Sequence, residues 1–129
     1  MTIKAKKISS SMEDYLETVY FFENRHGFAR VSDIAKRLGV KKSSVNTALK
    51  NLSNKGMLTH EKYGSACLTR QGKKLASELQ GKEDVLFRFL TRCLSVDPDI
   101  AREEACKMEH SVSKTTLSRL KGFLRKVNV

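Results

Sequence analysis

The chain contains one proline, no tryptophan and three cysteines among its 129 residues. Because Pro98 is the single proline, few helix interruptions are imposed on the backbone, and a mainly helical protein is favoured. The cysteines, Cys67, Cys93 and Cys106, are odd in number and include no close pair. We therefore expect reduced thiols and exclude both a disulfide framework and a four-cysteine zinc site.

Long apolar runs and acidic residues are also scarce. No apolar stretch approaches the roughly 20 residues that span a membrane, and residues 1–11 carry lysines without the apolar segment of a secretory signal. We therefore expect a cytoplasmic protein that does not enter membranes. Lys and Arg number 25 against 14 Asp and Glu, and the net charge of +11 favours nucleic acid as a partner, although a membrane surface would also suit it.

The first half of the chain does contain a helical hydrophobic period. Apolar residues recur at helical spacing over about 11–25 and again over 31–39, where Ser32 is the expected helix cap. A third helix is expected to be capped by Ser43 or Ser44 and to end at a glycine. Its predicted apolar stripe consists of Val45, Ala48, Leu49 and Leu52.

The residues after the third helix predict a hairpin and then further helices. Residues 57–61 and 65–69 have the character of short strands around a glycine-containing turn, and Ser113 is the expected cap of the last helix. The order helix, helix, turn, helix, hairpin is typical of a winged helix-turn-helix. We predict a mainly α fold, with a DNA-binding winged helix-turn-helix at 1–70 and a helical domain at 71–129.

Helix three is the expected recognition helix, because the second helix of a helix-turn-helix enters the major groove of DNA. We expect Ser44, Asn46 and Thr47 to contact base edges, with Ser43 as a further polar group on the same face. Nearby cations would anchor phosphates, adding salt-dependent affinity but little discrimination. These cations are Arg30, Lys41, Lys42, Lys50 and, in the wing, Lys62. The competing interpretation is an ordinary solvated face on a packed helical bundle.

A second pattern consists of residues with metal-ligating side chains. Two carboxylates lie three residues apart on helix one, and a thiol, a carboxylate and an imidazole share one face of helix five at i, i+3, i+4 spacing. A further carboxylate lies on helix four. The candidates are Asp14, Glu17, Glu83, Cys106, Glu109 and His110. Such a set suits Fe(II), Mn(II), Co(II) or Zn(II) better than Ca(II), but spacing alone leaves open that each group is solvent-exposed or, for the cysteine, part of the core.

Four ordered segments resemble the diphtheria-toxin-repressor and manganese-transport-regulator family of metal-dependent transcriptional repressors, and the resemblance covers nearly the whole chain. They are Ser11 to Glu17, Val31 to Gly39, Gly64 to Gly72 and Glu104 to His110. The resemblance implies a homodimer in which the winged helix binds DNA and the C-terminal helices dimerise. It also implies that a divalent metal bridges the two parts as co-repressor.

The same resemblance implies a hybrid set of metal ligands. Asp14 and Glu17 match residues of the manganese branch, and Cys106 matches a cysteine of the iron branch. Glu109 and His110 match ligands that both branches share.

The chain also departs from the family pattern. Glu83 stands where a ligand histidine is usual, so it either makes the site harder and more anionic or lies outside a reduced site. Phe87 and Arg102 replace the partners of the iron branch's ancillary site, and we do not expect that second site. The chain ends at Val129, before the extra C-terminal domain of longer iron-branch members would begin.

The expected function is therefore a homodimeric, metal-dependent repressor of metal homeostasis that binds a palindromic operator, with Mn(II) or Fe(II) as co-repressor and Zn(II) or Co(II) able to bind in vitro. The alternative is a winged-helix regulator whose metal sensing is lost or altered. A hydrolytic metalloenzyme is disfavoured, because no nucleophile, general base and open cleft can be traced. A winged helix used only for protein contacts is a further alternative.

Overall fold

The computed structural model describes residues 8–61 and 64–128 and divides the chain into two compact units, Met1–Ala76 and Ser77–Val129. The predicted mainly helical fold is confirmed. Lys62, expected in the wing, lies outside the described residues. In chain order the elements are α1 (Ser10–His26), β1 (Ala29–Arg30), α2 (Val31–Leu38), α3 (Lys42–Asn54), β2 (Leu58–His60), β3 (Ser65–Leu68), α4 (Arg70–Arg88), α5 (Pro98–Met108) and α6 (Lys114–Lys126).

Helix α1 begins and ends with local signals that its sequence contains. The hydroxyl oxygen of Ser9 accepts a hydrogen bond from the Met12 amide at 3.1 Å, satisfying an amide that has no partner within the helix. Gly27 ends the helix in the left-handed region at φ 87°, which costs other residues steric strain. Between these ends Leu16 and Val19 are fully buried, so one face of α1 belongs to the core.

The cap predicted for α2 is wrong. The helix begins at Val31, and its N-cap is Arg30, which makes no side-chain capping hydrogen bond. Ser32 consequently lies inside the first turn. The reason is that Arg30 is held in an extended conformation by pairing with Ser65 of β3, so strand pairing rather than a side chain sets the start of the helix.

The caps predicted for α3 are also wrong. The carbonyl oxygen of Lys41 accepts hydrogen bonds from the amides of Ser44 and Val45 at 3.0 and 3.2 Å, and Lys42 is the first helical residue. Ser43 and Ser44 therefore lie in the first turn rather than at the cap. The predicted apolar stripe is confirmed, because all its members are buried: Val45, Ala48, Leu49 and Leu52.

The predicted hairpin is confirmed as β2 and β3, and a third short strand joins it. The sheet is antiparallel in the order β1-β3-β2, with Thr59 opposite Cys67 and Ala29 opposite Ala66. Strand β1 has two residues, too few to give a period-two pattern in the sequence. Strand β1 directly precedes α2 and pairs with β3, so it connects the α2–α3 pair to the hairpin. Helices α1 and α3 and the hairpin share one hydrophobic cluster.

The first turn of α4 packs tightly against the hairpin. The hydroxyl oxygen of Thr69 accepts a hydrogen bond from the Gly72 amide at 3.1 Å, which starts the helix. A Cβ at Gly72 would overlap the carbonyl oxygen of Met57. The close approach therefore depends on a residue without a side chain.

The second unit contains most of α4 together with α5 and α6. After Arg88 the α4 backbone continues as a π-helical turn, Phe89–Cys93, in which the Leu94 amide bonds to the Phe89 carbonyl. The cluster of buried residues in this unit joins α4 and its π-helical turn to α5. It consists of Leu86, Leu90, Ala101 and Ala105.

Helix α5 is shorter than predicted. Its last residue is Met108. The Met108 carbonyl oxygen accepts a hydrogen bond from the Ser111 amide at 2.9 Å, which closes a turn after the helix. Glu109 is therefore the C-cap and His110 lies in the turn, rather than both lying on the helix as expected. The predicted cap of α6 is confirmed, because the Ser113 hydroxyl accepts a hydrogen bond from the amide three residues ahead at 3.1 Å.

Candidate DNA interface and metal centre

The outer face of α3 is polar, cationic and open to solvent. Lys41, Lys42 and Lys50 place three cations along it, and Asn46 presents an amide between them. Every described residue that the sequence nominated for DNA contact is exposed: Arg30, Lys41, Lys42, Ser43, Ser44, Asn46, Thr47 and Lys50. This face can therefore reach phosphates and base edges without any rearrangement of the core.

Thr47 differs from its neighbours in how its side chain is used. Its hydroxyl donates a hydrogen bond to the carbonyl oxygen of Ser43, one turn earlier, at 3.1 Å. The hydroxyl that was expected to approach a base is thus engaged within α3. The methyl group remains as the apolar part of this exposed side chain.

Arg30 belongs to β1 and lies beside an aromatic residue that sequence reasoning did not select. The guanidinium carbon of Arg30 lies 5.4 Å from the ring centroid of Phe28, a distance typical of a cation–π contact. Phe28 is itself exposed at 36%. The available signal was the aromatic residue two positions before a cation at the start of a helix.

A second aromatic–cation arrangement joins the ends of α1 and α2. The guanidinium carbons of Arg25 and Arg37 lie 3.7 and 3.6 Å from the ring centroid of Phe21. Arg25 also donates a hydrogen bond to the Phe21 carbonyl at 3.2 Å. These contacts hold two exposed cations of the first unit in place.

The first unit contributes two of the candidate metal ligands. Asp14 and Glu17 lie on α1, and both are half-buried. A carboxylate oxygen of one lies within 4.8 Å of a carboxylate oxygen of the other. Their i, i+3 spacing on a regular helix therefore produces the shared face that the sequence predicted.

The second unit contributes the other four. Glu109 is fully buried, and its Oε2 lies 3.6 Å from Nε2 of His110 in the turn after α5. Cys106 lies in the last turn of α5 and Glu83 lies on α4, both half-buried. Carboxylate, imidazole and thiol are the donors that Mn(II), Fe(II), Co(II) and Zn(II) accept, so the residues fit a divalent transition metal.

A hydrogen bond steadies the turn that carries two of these ligands. The Lys82 ammonium on α4 donates to the carbonyl oxygen of Val112 at 3.0 Å. Elsewhere in the same unit, the guanidinium carbon of Arg102 lies 4.7 Å from the ring centroid of Phe87. Arg102 and Phe87 thus contact each other.

Family profiles match the two halves of the chain in order. The iron dependent repressor, N-terminal DNA binding domain matches residues 7–66, and the iron dependent repressor, metal binding and dimerisation domain matches residues 69–129. The chain belongs to the iron-dependent repressor family. Membership makes it a metal-dependent transcriptional repressor with a DNA-binding and a dimerisation part, and the resemblance drawn from the four segments is confirmed.

Relatives within the iron-dependent repressor family cover most of the chain. An uncharacterized HTH-type transcriptional regulator of Methanocaldococcus jannaschii is 38% identical over 121 residues, which are 92% of this chain and 96% of that protein. The HTH-type transcriptional regulator MntR of Bacillus subtilis is 37% identical over 110 residues, or 85% of this chain and 77% of that protein.

Solved structures of the family give the same fold. T. acidophilum IdeR matches with a TM-score of 0.79 at 25% identity over 97% of this chain. The manganese regulator SloR matches with a TM-score of 0.79 at 32% identity over 88% of this chain. The chain spans 56% and 53% of those two structures. Within its own described residues, no helix is both long and apolar enough to cross a bilayer.

Proposed function

We propose that this protein represses transcription by binding a palindromic operator as a homodimer when a divalent metal ion is bound. The observation that carries the proposal is the ordered match of both halves to one family, DNA binding first and metal binding with dimerisation second. It favours this function over a regulator that has lost metal sensing. We assign DNA binding to residues 1–70, and dimerisation together with four of the six metal ligands to residues 71–129.

DNA binding is assigned to the cations and short polar groups of the first unit. Ser44 and Asn46 hydrogen-bond base edges, since hydroxyl and amide groups can pair with the donors and acceptors of the major groove. The cations Lys41, Lys42 and Lys50 neutralise phosphates, and each contact contributes to the salt dependence. The same phosphate role is assigned to Arg30 and Lys62, while Ser43 and Thr47 complete the contact face.

Metal binding is assigned to the six candidate ligands, Asp14, Glu17, Glu83, Cys106, Glu109 and His110. When bound, the ion supplies the positive charge that these carboxylates share. The excess of carboxylates over softer donors favours Mn(II) or Fe(II), and the relative SloR is a manganese regulator. Zn(II) and Co(II) would occupy the same donors in vitro.

Dimerisation is assigned to the second unit. Within the described part of that unit, several large apolar side chains are exposed, and a second copy that covered them would remove their apolar surface from water. They are Leu94, Ile100, Met108, Phe123 and Val127. A symmetric pair of chains would present two copies of α3 to two half-sites of one duplex.

Metal regulates DNA binding if the ligand side chains hold the ion more tightly in the protein conformation that binds DNA than in a more loosely ordered conformation. A ligand shifts such an equilibrium only by its difference in affinity for the two states. Couplings of about 1 to 3 kcal/mol are usual, and DNA must tighten metal binding by the same factor as metal tightens DNA binding.

The test is a pair of DNA titrations. A fluorescent duplex selected from a random library would be titrated with the protein in Mn(II) and again in excess chelator. We expect affinity to be about 5- to 150-fold higher with the metal. In Asp14→Asn the metal effect should shrink, whereas Lys74→Ala, which removes an exposed cation of α4, should leave it intact. Equal affinity of the wild-type protein in both conditions would remove the metal switch.

The remaining assignments follow from the same function. We place the protein in the cytoplasm, where an operator-binding regulator meets its DNA, and assign it no enzymatic activity. Sedimentation measurements of the metal-loaded protein test the dimer, which should persist at micromolar concentration.

A further inference from the structure

Phe21 of α1 has a guanidinium group packed on each face of its ring. The guanidinium carbons of Arg25, one turn later on α1, and of Arg37, on α2, lie 3.7 and 3.6 Å from the ring centroid. Both distances are close to van der Waals contact, so the two groups could not share one face without overlapping. The two cations therefore lie on opposite faces and are separated by the thickness of one ring.

The positive charge of this pair is not neutralised within the part of the chain that the structure describes. No ion pair joins either guanidinium to a carboxylate there, although Asp33 lies one turn before Arg37 on α2. Both arginines are exposed. The hydrogen bond from Arg25 to the Phe21 carbonyl oxygen engages one of the five N–H donors that a guanidinium has. Donors of both groups are therefore available to an anion from solvent.

The ring itself favours an anion at its edge. A phenyl ring is negative on its faces and positive at its edge, so the polarity that attracts cations to the faces of Phe21 attracts an anion to the edge between them. Phe22 packs against Phe21 in an edge-to-face arrangement at a centroid distance of 5.1 Å. Because Phe21 is only half-buried, part of its ring remains accessible. An anion at that part meets a guanidinium on either side.

We propose that Phe21, Arg25 and Arg37 form a binding site for a phosphate dianion, supplied as inorganic phosphate or as a phosphate monoester. The two guanidiniums supply two positive charges, and a phosphate monoester carries about −1.5 to −2 at pH 7 together with three acceptor oxygens. A phosphodiester of DNA carries a single negative charge and leaves half of the pair unmatched. Arginine suits the site because its planar fork makes bidentate contacts with phosphate.

This site goes beyond the proposed function and does not depend on it. It includes none of the residues that we assign to DNA or to metal. It lies within the first unit, where it links the last turn of α1 to α2. A bound dianion would therefore stabilise the first unit by binding the folded state.

The experiment compares two small phosphates of different charge. The chain labelled with ¹⁵N would be titrated at pH 7, without added metal, with methyl phosphate, which is a monoester, and with dimethyl phosphate, which is a monoanionic diester. The side-chain Nε–H resonances of Arg25 and Arg37 should both shift and saturate with methyl phosphate. We expect inorganic phosphate to act likewise and dimethyl phosphate to bind about tenfold more weakly or worse, the factor for one hydrogen bond to a charged group.

Matched variants connect the binding to the site. Arg25→Gln and Arg37→Gln each remove one charge, and each should weaken methyl phosphate binding by about tenfold or more. Their missing resonances also assign the two signals. Lys36→Gln removes the same charge from the exposed neighbour of Arg37 and should leave the affinity unchanged. Phe21→Leu retains both cations without the ring that holds them, so its affinity should fall. Amide spectra of the variants report whether each remains folded.

Three results would overturn the inference. If neither arginine resonance responds to methyl phosphate, the site does not exist. If dimethyl phosphate binds equally well, or Lys36→Gln weakens binding as much as Arg37→Gln, a diffuse positive surface attracts the anion instead. If Arg37→Gln flattens the salt dependence of operator affinity, the pair contacts the DNA backbone and the assignment to a dianion is wrong. The proposed repressor function stands in the first two cases and gains a phosphate contact in the third.

Discussion

The Glu23 carboxylate on α1 accepts a hydrogen bond from the Leu68 amide of β3 at 2.7 Å. Strand β1 pairs with β3 only at Ala29 and Arg30, so no backbone carbonyl of that strand is opposite Leu68. Glu23 therefore continues the hydrogen bonding of the sheet with a side chain. Its other oxygen lies 3.3 Å from the Lys73 ammonium, which joins α4 to the same point.

This contact predicts the effect of removing the carboxylate. Glu23→Ala leaves the Leu68 amide without its acceptor and should lower the free energy of unfolding by about 1 to 3 kcal/mol in urea denaturation. Glu23→Gln retains an acceptor oxygen and should lose less. Lys73→Met removes only an ion pair whose cation is 56% exposed, so its effect should be small. An alanine variant as stable as the wild type would contradict this role.

Phosphate and base contacts on α3 should be distinguishable by their salt dependence. In Lys42→Ala each chain of a dimer loses one phosphate contact, so the slope of log affinity against log salt should flatten by about 0.9 per contact. Asn46→Ala removes no charge, so affinity for the selected operator should fall while the slope is unchanged. Anisotropy titrations at several salt concentrations measure both. A flatter slope in Asn46→Ala, or an unchanged one in Lys42→Ala, would reverse the assigned roles.

The role of Glu83 can be decided by metal titration. If its carboxylate binds the ion, Glu83→Ala should weaken Mn(II) binding by about tenfold or more in calorimetry. Asp84→Ala provides a matched control, because it removes the neighbouring exposed carboxylate of the same helix. Equal loss in both variants would indicate a general charge effect, and no loss in either would place Glu83 outside the ligand set.

Cys67 should react slowly with thiol reagents. Burial raises the pKa of its thiol, the carboxylates of Glu23 and Glu61 raise it further, and Lys73 opposes them. Since the thiolate is the nucleophile, its fraction at pH 8 is lower than in a free cysteine. Alkylation followed by peptide mass spectrometry should show slow labelling that accelerates at higher pH.

The same measurement gives a linked expectation for Glu23→Gln, in which the loss of a negative charge should speed labelling of Cys67. Labelling of the wild-type thiol at the rate of free cysteine would contradict the raised pKa. Because the folded state favours the protonated thiol, stability from this group is present below the unfolded pKa and is lost as pH rises through the folded pKa.

The parts of the fold that could be predicted from the sequence are the helices that bury one apolar face against the core. The stripe of α3 could be recognised because Val45, Ala48, Leu49 and Leu52 repeat at helical spacing. The cap at Ser32 was wrongly predicted because the start of α2 is set by the pairing of Arg30 with β3, a contact between residues distant in the chain. A local signal gives no information on such pairing.

The candidate site likewise has features that a local sequence pattern predicts and features that it does not. Helical spacing was enough to group Asp14 with Glu17, but not to predict that α5 ends before Glu109 and His110. The stacking of Arg37 on Phe21 joins residues of two helices and has no local pattern in the sequence. Likewise, nothing local indicated that the Thr47 hydroxyl would bond within its own helix, because serine and threonine also point outward on exposed faces.

The contact between α4 and the hairpin has a consequence for natural variation. Every missense change of a glycine codon adds at least a Cβ, and at Gly72 that atom would meet the Met57 carbonyl oxygen, a backbone group that no rotamer change can move. A side chain at this position must therefore displace the first turn of α4 or the backbone of Met57, just before β2. Single missense changes at Gly72 should therefore not be tolerated, whereas changes at a nearby exposed residue such as Lys74 should be.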